Sequence, residues 1–257
     1  MTRGKRNGLS AALIFGVVLF LLTVQAAAAG QANVFIYHRF DDSRFPSTNI
    51  SSRDFQSHLE VLRRQDFTVL TLGQIMDKIK HGESLPQRCA AITVDDAYRS
   101  FLTAGWPLLK SYGFPATLFV STDLVGGGDY LEWQELKTLH DEGVELGNHS
   151  ASHAYLLDGV KNQDWVAWVR QDIDRAQQAF ASNLGFKPRF FAYPFGESSA
   201  YIRNEYFPKR ADEHGCLAAI GTDPGLVSAH SDRWNLPRFV CGRDWSAPAE
   251  LLAVLGL

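Results

Sequence analysis

Short apolar, β-rich segments alternate with helix-like ones along most of the chain, and no other feature restricts the fold as much. Asn33–His38, Phe67–Leu70, Cys89–Asp95, Ala116–Ser121, Val144–Gly147, Arg189–Tyr193, Leu217–Ile220 and Arg238–Cys241 read as strands. Between them, Ser51 or Ser52 caps a helix with Phe55, Leu59 and Leu62 on one face, and Thr71 and Gln74 have capping-box spacing. A helix around Trp133, Leu136 and Leu139 stops at Gly143. The clearest helix carries Trp165, Val169, Ile173, Ala176, Phe180 and Leu184 at three- and four-residue steps, with Gly185 as its stop. A β-then-α order calls for a parallel sheet covered by helices.

An open doubly wound sheet and a closed barrel both fit this order. His38, Asp95, Asp96, His149 and the Tyr193-Pro194-Phe195-Gly196 turn all fall at C-terminal ends of expected strands. A barrel gathers such ends around one mouth, whereas an open sheet brings fewer of them together. The expected fold is therefore α/β: an irregular (β/α) barrel of about seven strands with the active site at their C-terminal ends. No linker or internal repeat divides residues 30–257, which read as one domain.

The N-terminus reads differently. Arg3, Lys5 and Arg6 precede an apolar run from Leu9 to Val24, and Ala26-Ala27-Ala28-Ala29 follows. This is the pattern of a secretory signal peptide over residues 1–29, cleaved after Ala29. The run is short for a membrane span, so any membrane association is through this segment if it stays uncleaved. The pattern places the protein in the periplasm or outside the cell. Residues 1–29 hold three basic residues and no acidic one, so the remainder has 22 basic and 28 acidic residues. That balance, without a basic stripe, argues against a nucleic-acid partner. Cys89, Cys216 and Cys241 lie beyond the leader; an odd count permits at most one internal disulfide, and Cys216 with Cys241 is one candidate. No C-x-x-C spacing suggests a cysteine zinc site.

Two stretches carry chemistry. Ala91–Tyr98 reads A-I-T-V-D-D-A-Y, a buried strand running into two adjacent carboxylates. Burying either is costly unless it is paired or bound to a metal. Gly147–His153 reads G-N-H-S-A-S-H, with His149 and His153 four apart just after a strand. Two imidazoles and one carboxylate, with an open position for water, make a catalytic zinc-type site. The second aspartate is then left free as a base. Each stretch alone has a plainer reading, as a turn, a helix cap or a pair of solvated histidines.

Together the motifs resemble the polysaccharide deacetylases, carbohydrate esterase family 4 with its NodB homology domain. T-V-D-D-A at Thr93–Ala97 is similar to the family's T-F-D-D-G, and H-S-A-S-H at His149–His153 matches its H-[ST]-x-x-H. F-A-Y-P-F-G at Phe191–Gly196 resembles its third motif. The N-terminal Y-H-R-F resembles the branch acting on poly-N-acetylglucosamine. The resemblance implies hydrolysis of acetyl groups from an N-acetylated polysaccharide or oligosaccharide by a metal-activated water. The divalent metal would be zinc, with cobalt or nickel as substitutes. It implies Asp95 as general base, Asp96, His149 and His153 as metal ligands, and a backbone N–H near Phe195 as oxyanion donor. Alternatives on the same site are an O-acetyl esterase or a deacetylase of peptidoglycan or a lipid-linked sugar. A carbohydrate-binding pseudoenzyme is the alternative from another class.

The departures define further expectations. Ala97 replaces the family's glycine, a mild change if the backbone there avoids positive φ. Ala192 stands where many members carry an arginine that orients the base; Arg238 could supply that charge. The family's L-x-H histidine is replaced by Leu236-Pro237-Arg238, and arginine is a poor proton donor. His38, in Y-H-R-F, is expected to serve as general acid; the plainer reading is a core histidine. Arg39, Asp41 and Asp42 position His38 or the sugar, or form an ordinary surface loop. Tyr193 and Trp245, with Tyr98 behind them, are the expected sugar contacts. His58, His81 and His140 are expected to be solvated, and His214 and His230 to lie in loops without partners.

Overall fold

The computed structural model describes Met1, residues 30–156 and residues 163–257. The signal-peptide expectation over residues 1–29 lies, apart from Met1, outside the described residues. Among the described residues no helix is long and apolar enough to cross a membrane.

Seven parallel strands form the barrel: β1 (Ala32–Tyr37), β2 (Cys89–Val94), β3 (Thr117–Val120), β4 (Glu145–Asn148), β5 (Phe190–Ala192), β6 (Ala218–Ile220) and β7 (Phe239–Val240). Each of the first five pairs with the next in chain order. Closure comes from one short segment. Leu236 bridges Ile220 at the end of β6, and Phe239 and Val240 pair with Phe35 and Ile36 of β1. The open-sheet alternative is thereby excluded. The expected strand at Phe67–Leu70 is only Thr68–Val69, paired beside the start of β2 below the point where β3 joins it. It is a filler at the bottom of the barrel rather than one of its staves.

Helices α1 (Ser52–Arg64), α2 (Leu72–Lys80), α3 (Trp106–Tyr112), α4 (Trp133–Asp141), α5 (Gln163–Leu184), α6 (Phe207–His214) and α7 (Pro248–Val254) surround the strands. Ser51 caps α1 by accepting from the Asp54 N–H, and Thr71 and Gln74 form the expected capping box on α2. The N-terminus of α2 closes the lower end of the barrel, where the Gly73 N–H donates to Glu145 of β4 at 3.1 Å. That places a carboxylate at the positive end of a helix.

Strand alternation decides what faces the site. On β1, Phe35 and Tyr37 pack outward with Phe55, Leu59 and Leu62 of α1, while Ala32 and Val34 belong to the inner core. On β2, Ala90, Ile92 and Val94 join the outer core, and Ala91 belongs to the inner one. The same alternation puts Thr93 and Asp95 on the inner face with Ala91.

All three cysteines are free, so the Cys216–Cys241 pairing is not formed. Two histidines also differ from expectation. His58 is fully buried on α1: its Nε2 lies 2.9 Å from the Ser246 carbonyl, and Nδ1 lies 3.2 Å from the Tyr37 hydroxyl. His214 ends α6 rather than lying in a loop; it is buried, with Nε2 2.9 Å from Asp174. Each shares its helix's apolar face, Phe55-His58-Leu59-Leu62 in one case and Phe207-Ala211-His214 in the other. His81 and His140 are exposed, as expected, and His230 lies in a turn, where it is also exposed.

Candidate active site

The two adjacent aspartates have opposite environments. Asp95 points into the barrel and is 2% exposed. Arg238, just before β7 and wholly buried, donates from Nη1 to Asp95 Oδ1 at 2.8 Å and from Nη2 to Oδ2 at 2.9 Å. The guanidinium is itself held by the Gly221 carbonyl at 2.7 Å and the Thr93 hydroxyl at 3.1 Å. Burial pushes the Asp95 carboxyl up, but Arg238, with His149 and His38, more than offsets it and holds the group below the ordinary carboxylate range. Asp95 is thus an oriented, ionised carboxylate. The charge expected from Arg238 is where the sequence suggested.

Asp96 turns the other way. Its Oδ1 lies 2.9 Å from His153 Nε2 and 3.4 Å from His149 Nε2. Ligand atoms of Asp96, His149 and His153 all fall within 4.8 Å of one another. Asp96 Oδ1 is nonetheless buried without a hydrogen-bond partner among the described residues. An orphaned carboxylate oxygen between two imidazole nitrogens is the arrangement a cation completes. His149 Nδ1 lies 2.8 Å from the Ala192 carbonyl at the end of β5. A carbonyl only accepts, so Nδ1 carries the proton and Nε2 presents a lone pair toward Asp96. The donor set of two imidazoles and one carboxylate suits zinc, cobalt or nickel.

His38 follows β1 and shares this environment. Burial lowers the affinity of its ring for a proton, the Asp96 and Asp95 carboxylates raise it, and Arg238 and His149 lower it again, with a net shift downward. The ring has no protein hydrogen-bond partner among the described residues.

Backbone strain concentrates here. Of seven non-glycine residues with positive φ among the described residues, five are Asp96, Ala97, Ser150, His153 and Phe195. Such conformations persist where surrounding structure enforces them. Ala97 has φ 58°, so it occupies the left-handed region that glycine would adopt freely; the replacement is strained rather than mild.

The aromatic expectations need correction. Tyr193 is wholly buried, with its hydroxyl donating to the Trp234 carbonyl at 2.6 Å. Trp245 is 2% exposed, edge-on to Phe35 at 5.1 Å and Tyr37 at 5.8 Å behind β1. Neither has a free ring face for a sugar. Phe195 is 48% exposed, with its ring 4.7 Å from that of His153. Tyr155, which the sequence reading passed over, is 58% exposed and stacks on Phe195 at 3.8 Å and 10°. The Arg39 guanidinium lies 3.3 Å from the centre of the Tyr98 ring and pairs with Asp42, and Asp41 accepts from the Ser52 N–H at 2.7 Å. These contacts bind the loop after β1 to its neighbours.

Sequence reasoning also missed the supports of the histidine turn. Asn148 Oδ1 accepts from the Ser150 N–H at 2.7 Å, and Ser150 Oγ from the His153 N–H at 3.0 Å. The Asn148-His149-Ser150 order, with a side-chain turn former on each side of His149, was the available signal.

Comparison with known proteins agrees with this geometry. The family model for polysaccharide deacetylases matches residues 82–209. A putative polysaccharide deacetylase, YxkH of Bacillus subtilis, is 22% identical over 205 residues, covering 80% of this chain and 69% of that protein. A poly-beta-1,6-N-acetyl-D-glucosamine N-deacetylase of Staphylococcus aureus is 25% identical over 223 residues, covering 82% and 74%. Among solved structures, the Streptococcus pyogenes deacetylase PplD superimposes with a TM-score of 0.75 at 18% identity, over 88% of this chain and 99% of that one. IcaB from Ammonifex degensii gives 0.74 at 21% identity, over 89% and 98%. The matched span contains both aspartates, both histidines and the Phe191–Gly196 turn, and the chain belongs to the polysaccharide deacetylase family, hydrolases of carbon–nitrogen bonds.

Proposed function

We propose that the protein is a metal-dependent deacetylase that removes acetyl groups from an N-acetylglucosamine-type polysaccharide outside the cytoplasm. One observation carries this reading: Arg238 holds Asp95 apart while Asp96 faces two imidazoles. One carboxylate is thereby assigned to ligation and its neighbour to proton transfer. The name of the S. aureus relative supports the substrate class, and the leader-like N-terminus supports export.

Asp96, His149 and His153 would hold the cation, zinc being the best fit to this donor set. When bound, it supplies a Lewis acid that polarises an acetamide carbonyl and makes water more acidic. Asp95 takes the proton from the attacking water, and Arg238 keeps that carboxylate ionised and aims its oxygens. The backbone N–H of Phe195 donates to the oxyanion that develops. His38 delivers a proton to the departing sugar amine; burial makes its ring a weaker base on balance, and the two carboxylates beside it oppose that shift. The exposed faces of Phe195 and Tyr155 replace Tyr193 and Trp245 as the surface on which a sugar ring lies.

The test is acetate release from N-acetylglucosamine oligomers of several lengths, before and after chelation and again with zinc restored. Release that disappears on chelation and returns with zinc is expected. Release only from O-acetylated sugars would reassign the reaction to an esterase. Binding of the oligomers without release would make the protein a carbohydrate-binding pseudoenzyme.

A further inference from the structure

Asp172 lies on α5, outside the motifs and outside the reacting groups, yet it is 2% exposed. It follows Gln171 and precedes the buried Ile173, on a helix whose core face also carries Val169, Ala176 and Phe180. A carboxylate in such a place is costly unless it is well paired. Its partners are informative. Asp172 accepts from the Ala151 N–H at 3.2 Å and from the Ser152 N–H at 3.2 and 3.4 Å. Those are the two residues lying between Ser150 and His153. Arg175 Nη2 donates to Asp172 at 3.0 Å and to Asp123 at 2.7 Å.

The opposite side of the same turn is tied to the segment after β3. Ser121 Oγ donates to the His149 carbonyl at 2.9 Å, Thr122 N–H to Ser150 at 3.2 Å and Asp123 N–H to Ala151 at 3.0 Å. The carbonyls of the turn are therefore held from β3 and its N–H groups from α5, with Arg175 joining the two anchors. Between the anchors, Ser150 and His153 adopt positive φ, at 68° and 57°. A chain of L-residues relaxes out of that conformation unless it is held.

We propose that Asp172 is a positioning residue for the metal centre, acting through the turn that aims His149 and His153 at Asp96. It rests on the metal-site reading above. The buried carboxylate lets two successive N–H groups point the same way, which keeps both Nε2 atoms on one carboxylate oxygen. Outer partners of metal ligands typically change affinity by about 10- to 100-fold when removed. An amide in place of the carboxylate turns one acceptor into a donor facing the N–H groups or Arg175.

The experiment is calorimetric titration of zinc into the metal-free wild-type protein, Asp172→Asn, Asp172→Glu and Arg175→Gln, with the melting midpoint of each metal-free protein. Asp172→Asn should bind zinc about 10- to 100-fold more weakly, Asp172→Glu should recover part of that loss, and Arg175→Gln should lose a few-fold. A fall in the metal-free midpoint with unchanged zinc affinity would overturn the proposal, since that is what a purely structural carboxylate does. If Asp172→Asn does not fold, wild-type affinity in Arg175→Gln would equally overturn it. Absence of zinc binding by the wild type would remove the metal reading itself, a result distinct from failure in the variants alone.

Discussion

Two groups of buried histidines flank β1, and they are built differently. Behind the strand, His58 has both ring nitrogens engaged by Ser246, Tyr37 and Trp245, and its neighbours pack as ordinary core. At the barrel mouth, His149 has one nitrogen engaged and the other turned toward Asp96, whose Oδ1 has no hydrogen-bond partner. The mouth also gathers five of the seven strained non-glycine backbone positions among the described residues. Burial alone therefore does not mark a functional histidine. What separates the two groups is incomplete satisfaction, since evolution-neutral packing tends to pair every buried polar group while a site keeps atoms free for a ligand.

Substitutions on the two sides should fail in different ways. His38→Gln should lower amide turnover by about 10²- to 10⁴-fold, the usual range for a general acid, with metal content unchanged. Near-normal turnover would refute its assignment as the acid. Arg238→Met should leave Asp95 buried without its counter-charge and cost about 3–5 kcal/mol of stability, read by chemical denaturation. A loss below about 1 kcal/mol would mean that Asp95 protonates or is solvated there.

On the other side of β1, His58→Leu should cost about 1–3 kcal/mol, because Tyr37 and the Ser246 carbonyl lose a buried partner. It should also change the pH dependence of stability. Burial lowers the His58 pKa below its ordinary 6.5, despite the opposing Ser246 carbonyl and Asp54. The unfolded chain then binds the extra proton first, so stability is fully present above about pH 6.5 and declines as pH falls below it. The wild type should lose stability over that range more steeply than His58→Leu; equal slopes would contradict the buried neutral ring. The smallest effect is expected at Ala97→Gly. Relief of the left-handed strain is opposed by the glycine's greater unfolded-state freedom and by loss of a buried methyl, so the net change should stay within about 1 kcal/mol.

Much of the fold was legible because its signals are local. Strand alternation, the Thr71–Gln74 capping box and the glycine stops each act over a few residues. The three motif segments were legible for a related reason: each is short and ends a strand. A barrel closing near Arg238–Cys241 was legible too, but its pairings were not, because Leu236 and Phe239–Val240 make only brief contacts with partners far away in the chain. The histidine readings show a missed signal rather than an absent one. His58 and His214 fall on the apolar faces of α1 and α6, and helical spacing alone placed them inside. Trp245 and Tyr193 were misjudged because nearness in sequence to a motif does not say which way a ring points. Asp172 was beyond reach, since its partners in the histidine turn lie twenty or more residues away.

The division of labour between the adjacent aspartates is the central claim, and a paired measurement on their variants tests it most directly. Zinc binding and acetate release would be measured on Asp95→Asn and Asp96→Ala beside the wild type. Asp95→Asn should bind one zinc ion per chain and release no acetate, and Asp96→Ala should lose both. Loss of zinc in Asp95→Asn, or full zinc binding in Asp96→Ala, would contradict the account.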